Sequence, residues 1–90
     1  MKRFMTLLCF YAAGLCAFGA HCYPEKTYQQ HWCKINGGTQ EVILFDKARV
    51  DCLTKTHAIE FDFAPKWAES IGQALYYSIV TGKTPGIVLI

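Results

Sequence analysis

Asp51, Glu60 and Asp62 stand among apolar neighbours in the stretch RVDCLTKTHAIEFDF, Arg49 to Phe63. Side chains alternate across a β-strand. If RVDCL and HAIEFDF are antiparallel neighbours, Val50, Cys52, Ile59, Phe61 and Phe63 share one face, and Asp51 and Glu60 converge on the other. Two carboxylates held close together repel, which raises a pKa or recruits a cation. Oxygen ligands on a fixed scaffold suit Mg²⁺ or Mn²⁺, with coordinated waters left to meet a substrate phosphate. Asp62 is a third ligand candidate. The plainer alternative is a sheet face turned to solvent.

A second group lies downstream in PKWAESIGQALYYSIVTG. At helical spacing Lys66, Ser70, Gln73 and Tyr77 fall along one stripe, with Glu69 beside it, nearly opposite an apolar stripe of Ala68, Ile71, Leu75 and Ile79. This arrangement predicts that the apolar stripe is buried and the polar one faces water. Tyr76 and Tyr77 make an aromatic flank suited to a partner. Gly72, unfavourable inside a helix by about 1 kcal/mol, suggests close backbone packing. His21, His31 and His57 have no catalytic spacing, no G-x-S-x-G is present, and the absence of a CxxC pair argues against structural zinc.

The elements that must hold these residues read clearly. Pro24 to Cys33 is a first helix, with Tyr28, Trp32 and Ile35 at helical spacing and Gly37-Gly38 ending it. Glu41–Asp46 and Arg49–Leu53 form a hairpin of strands, and His57–Phe63 is a third strand. Pro65 opens the second helix, which Gly82 caps. The final apolar run Ile87–Ile90 is a buried strand. A strand, helix and strand in one sheet require a parallel crossover. The expected class is α/β (α+β), in the order α-β-β-β-α-β. It comprises a four-stranded mixed sheet with an antiparallel hairpin, a parallel β-α-β unit and two helices.

Ninety residues allow one domain. The opening MKRF, followed by the uncharged run MTLLCFYAAGLCAFG, has the pattern of a secretory signal, with cleavage expected before Ala20. The run is shorter than the roughly 20 residues that span a bilayer, which weighs against an uncleaved anchor. The reading is therefore a leader over residues 1–19 and one exported domain over 20–90, periplasmic or secreted. Of nine Lys and Arg against seven Asp and Glu, Lys2 and Arg3 belong to the leader. The remaining domain is seven against seven, and bulk charge offers nothing to nucleic acid. Three cysteines remain, Cys22, Cys33 and Cys52, and an oxidising compartment permits one bridge. Sequence leaves three pairings open; Cys33–Cys52 is favoured because both fall in segments expected to be ordered.

This order of elements and these residues resemble the PD-(D/E)XK nuclease superfamily, whose minimal restriction-endonuclease-like core spans the region from Pro24 to Ile90. The aspartate of that family's second strand matches Asp51, and its (D/E)-x-K triplet matches Glu60-Phe61-Asp62. A Q-x-x-x-Y signature on the next helix matches Gln73 to Tyr77. Glu25 or Glu41 matches a further acid. The resemblance implies Mg²⁺ or Mn²⁺ held by Asp51, Glu60 and Asp62, and catalysis by Asp51, Glu60, Lys66 and Gln73. The family's lysine, which orients water and stabilises charge on the phosphate, is replaced by Asp62, and Lys66 is the nearest substitute. The expectation is a nuclease-like binding module, catalytically weak or inactive, for nucleic acid, a protein or the cell envelope. Two alternatives remain: a metal-dependent phosphodiesterase acting on DNA or RNA, and a disulfide-stapled structural domain.

Overall fold

A computed structural model describes residues 8–11 and 23–90. Strand β1 (Leu8–Tyr11) is followed by helix α1 (Glu25–Ile35), then strands β2 (Thr39–Ile43), β3 (Arg49–Leu53) and β4 (His57–Asp62). A single 3-10 turn, Ala64–Lys66, leads into helix α2 (Trp67–Thr81), and β5 (Thr84–Leu89) follows. Gly82, at φ 73, takes the left-handed conformation that closes α2, a backbone state glycine reaches without a Cβ clash.

The sheet runs β1-β5-β4-β3-β2. β2–β3 and β3–β4 are antiparallel, and β4–β5 is parallel over His57↔Thr84 to Asp62↔Leu89. The expected four-stranded mixed sheet is therefore present as β2 to β5, with α2 carrying the chain between the parallel pair. β1 extends it, parallel to β5 with Leu8 opposite Gly86. It falls inside the segment expected as a leader; the rest of that segment, the cleavage point and Cys22 lie outside the described residues. β5 begins at Thr84, ahead of its apolar run, and Pro85 pairs with Ala58 of β4. Among the described residues no helix is long and apolar enough to cross a membrane.

Two apolar clusters hold the layers together. One joins Cys33 of α1 to Cys52, Ile59, Phe61, Val88 and Ile90, with Trp32 packed against it. Trp32 meets Phe61 edge-on at 5.7 Å between ring centroids, a favoured aromatic geometry. The other joins Tyr77 of α2 to Val50 and Ala58. The disulfide is Cys33–Cys52, which ties α1 to β3. Gly38 lies against it: a Cβ there would stand 2.5 Å from Cys52 Sγ and 2.8 Å from Cys33 Sγ.

Three expectations are corrected. Val50 and Cys52, two apart on one strand, do not share a face, because each belongs to a different cluster. The cause lies opposite: Glu41 has φ 55, and Glu41–Asp51 is missing from a ladder that pairs Gln40 with Cys52 and Val42 with Val50. The second correction concerns α2. Its buried side is Ser70, Ala74 and Tyr77, while Ala68 is exposed and Ile79 is 79% exposed. Small residues at 70 and 74 let the helix approach the sheet, and of the stripe read as solvated Ser70 and Tyr77 face inward while Lys66 and Gln73 stay exposed. Third, among the described residues nothing lies within 4 Å of a Cβ built on Gly72, so the close packing expected there is not seen.

Candidate functional site

The site forms where β3 and β4 part. Their ladder pairs Leu53 with Ala58 and Cys52 with Ile59, then stops. Beyond it Asp51 and Glu60 would stand opposite each other. Instead, one Asp51 carboxylate oxygen accepts the Phe61 main-chain N–H at 2.8 Å, and the Asp51 and Glu60 carboxyl groups are hydrogen-bonded to each other. Side-chain chemistry replaces a rung of the sheet.

Glu60 is only 6% exposed, and its Oε1 is buried without a hydrogen-bond partner. Burial, followed by the Asp51 charge, pushes its pKa well above the carboxylate range. Asp51 is raised by burial too, against the lowering influence of the Phe61 N–H. The proton that lets two such groups coexist is the simplest substitute for a cation.

Around this pair lies an open cleft of about 520 Å³, lined by Glu25, Gln29, Glu41, Asp51, Glu60, Gln73 and Tyr77, with Lys26, Lys47 and Arg49 completing the wall. From α1, Glu25 has its pKa raised to about 7, first by burial and then by the Asp51 and Asp62 charges, with Lys66 acting the other way. From α2, Gln73 is hydrogen-bonded to Tyr77, whose pKa rises to about 12 through burial and the Glu60 and Asp51 charges. The structure thus brings Asp51, Glu60, Gln73, Glu25 and Glu41 to one place.

It does not bring all the expected residues there. Asp62 is turned to α2: it accepts the Ser70 hydroxyl at 3.2 Å and the Phe63 N–H at 2.9 Å, and it does not line the cleft. Lys66 does not line it either, although its charge is felt at Glu25. The aromatic flank divides: Tyr77 is buried in the core, whereas Tyr76 is exposed and donates its hydroxyl to Asp46.

Sequence reasoning missed Gln29. It is 2% exposed, and its Nε2 donates to Glu41 Oε2 at 2.7 Å and to the Asp51 carbonyl at 3.0 Å. One buried amide therefore supports both the strained Glu41 and the backbone of Asp51. Its position one helical turn after Glu25 was a readable signal. Arg49 Nη1 lies 3.1 Å from Glu41 Oε1, and Lys26 Nζ lies 3.9 Å from Glu41 Oε2.

Among the described residues no three His, Cys, Asp or Glu side chains are grouped tightly enough to hold a metal ion alone. Mg²⁺ takes one or two protein carboxylates and keeps several waters, so the Asp51–Glu60 pair suffices as an anchor, and the orphaned Glu60 oxygen fits that use. Comparison with protein-family models, with curated proteins and with solved structures gives no match.

Proposed function

We propose that this chain is a nuclease-like protein of the PD-(D/E)XK kind that binds Mg²⁺ or Mn²⁺ through Asp51 and Glu60 and works chiefly as a cation-dependent binding module. The observation that carries this reading is the buried, partnerless Glu60 Oε1 beside the Asp51 carboxylate. An unpaired buried polar atom costs about 1–3 kcal/mol, a penalty that a ligand removes. Bound there, the cation supplies charge for an anionic ligand. Asp51 and Glu60 hold it, Gln29 fixes the Asp51 backbone, and Gln73 lines the cleft beside them.

Weak or absent hydrolysis follows from position 62. A family lysine would stabilise growing phosphate charge from inside the site. Asp62 supplies no positive charge and is tied to Ser70 and the Phe63 N–H. Two of the cleft cations, Lys26 and Arg49, are engaged with Glu41.

Calorimetric titration with Mg²⁺ and with Mn²⁺ tests the reading. Binding lost in both Glu60→Gln and Asp51→Asn is the expected result; unchanged binding in either variant refutes it.

A second reading, a metal-dependent phosphodiesterase, draws on the Lys66 charge that reaches Glu25. Incubation of plasmid and single-stranded DNA with Mn²⁺, and with chelator as control, decides it. Cleavage that disappears with Asp51→Ala supports catalysis. Intact DNA at long incubation leaves the binding role.

Export into an oxidising compartment is part of the same proposal, supported by the Cys33–Cys52 bridge. Intact-mass measurement of the protein recovered from outside the cytoplasm should give a chain starting at Ala20. A chain still carrying Met1 refutes the leader.

A further inference from the structure

Building on the cation site just proposed, we infer that the cleft takes a small molecule with a terminal phosphate or diphosphate, of nucleoside-diphosphate size, rather than a nucleic-acid strand. Two features of the cleft point there together.

The first is how charge is distributed. Seven Lys or Arg and seven Asp or Glu remain once Lys2 and Arg3 are set aside. The cleft gathers Lys26, Lys47 and Arg49 on its wall and Glu25, Glu41, Asp51 and Glu60 within it. A carboxylate floor that holds a divalent cation, beside a wall of three cationic side chains, matches a group that is both a metal ligand and a dianion. Terminal phosphates have both properties, and charge-assisted contacts to their oxygens are strong. A polymer needs more: cations following its backbone for several nucleotides. The other four do not prolong the wall. Lys34, Lys55 and Lys66 are absent from the cleft lining, and Lys83 Nζ is spent on the Thr54 and Lys55 carbonyls at 2.6 and 3.0 Å.

The second feature is size. A cleft of about 520 Å³ lies within the roughly 300–1,000 Å³ range of small-molecule sites. Glu60, 6% exposed and with its Oε1 buried and unpartnered, is part of the lining.

The ion pairs at Glu41 add a consequence. Arg49 and Lys26 rest on this carboxylate, so an incoming phosphate must compete with Glu41 for them. Glu41→Gln should therefore bind phosphate more tightly.

Calorimetry on the full chain tests the inference. The probes are Mg²⁺ alone, then pyrophosphate, a nucleoside diphosphate, and a short oligonucleotide lacking terminal phosphates, each with saturating Mg²⁺. The expected result is Mg²⁺-dependent binding of pyrophosphate and of the nucleoside diphosphate. This binding should weaken by about tenfold for each of Lys47→Gly and Arg49→Gln, strengthen in Glu41→Gln, and be absent for the oligonucleotide. Lys47→Gly is chosen because Lys47 has φ 72, so glycine keeps the turn. Oligonucleotide binding as tight as that of the diphosphate overturns the inference. Intact Glu60-dependent Mg²⁺ binding with no response to any phosphate overturns it while the cation site stands. No Mg²⁺ binding with or without phosphate removes both.

Discussion

The carboxyl of Glu60 and the carboxylate of Asp51 are hydrogen-bonded to each other at the point where β3 and β4 stop pairing, and Glu60 Oε1 is buried with no donor to serve it. The Asp51 charge disfavours an ionised Glu60, while the hydrogen bond from Glu60 favours an ionised Asp51, so Glu60 is the group held neutral. Neutralisation by a proton and neutralisation by a cation are therefore alternatives, and the first prediction follows.

Glu60 has its folded-state pKa raised from 4.5 to about 9, by burial first and the Asp51 charge second. A raised carboxyl pKa means that the folded state holds the proton more tightly than the unfolded chain. Its contribution is complete below pH 4.5 and is lost as pH climbs towards about 9. Thermal melts with chelator should show stability falling across that window. Glu60→Gln should flatten the fall and melt about 5 °C higher than the parent at pH 9, roughly 1 kcal/mol for a domain this size. Adding Mg²⁺ at pH 9 should restore the parent and leave the variant unmoved. A parent melting temperature independent of pH from 5 to 9 rejects this account.

Gln29 supports the site from behind. Gln29→Ala leaves Glu41 Oε2 and the Asp51 carbonyl without their donor, a loss of about 1–3 kcal/mol in stability. Because the lost bonds orient Asp51, the ligand in the proposed cation site, Mg²⁺ affinity should drop about tenfold or more. Denaturant melts and calorimetry report the two effects separately. A stability loss with unaltered Mg²⁺ affinity would leave Gln29 a purely structural residue.

The disulfide joins the helix that carries Glu25 and Gln29 to the residue directly after Asp51. Bridging residues 19 apart in sequence is worth roughly 3 kcal/mol. Cys33→Ala with Cys52→Ala should lower the melting temperature and also weaken Mg²⁺ binding, measured below the variant's melting range. Gly38→Ala, by crowding both sulfurs, should destabilise by about 1–3 kcal/mol in the oxidised protein. Thiol counting in the chain from Ala20 should find one free thiol, that of Cys22.

Asp62→Lys tests the proposed nuclease kinship by supplying the lysine that this kinship would place at position 62. The structure argues that this alone restores no catalysis. Residue 62 is directed to Ser70 and the turn before α2, and a lysine there loses both accepted bonds and places a cation against a buried hydroxyl. The expected outcome is a less stable protein, by about 1–3 kcal/mol, with DNA left intact in Mn²⁺. Robust cleavage by this variant would show that position 62 does reach the reaction centre.

Much of this protein was legible in one dimension. Alternation and β-branched content located the central strands, Pro24, Pro65 and Gly82 marked the helices, and a short hairpin plus a helical crossover implied the mixed sheet. Those features are local, and each is written in neighbouring residues. Period-two geometry put Asp51 near Glu60, but the β3–β4 ladder stops short of them, and an Asp51 side-chain bond to the Phe61 N–H holds the place of a sheet rung. What the tertiary structure alone decided is how the acids are housed. Alternation placed Val50 with Cys52, but a left-handed Glu41 opposite Asp51 breaks that pattern, and backbone strain leaves no trace in residue type. Helical periodicity found two stripes on α2 and assigned them by polarity. The sheet instead selected the side with Ser70 and Ala74, since small side chains allow close approach and Asp62 offered the serine a partner. The support Gln29 gives to two strands joins residues far apart in the chain, and no local pattern encodes a contact that exists only after packing.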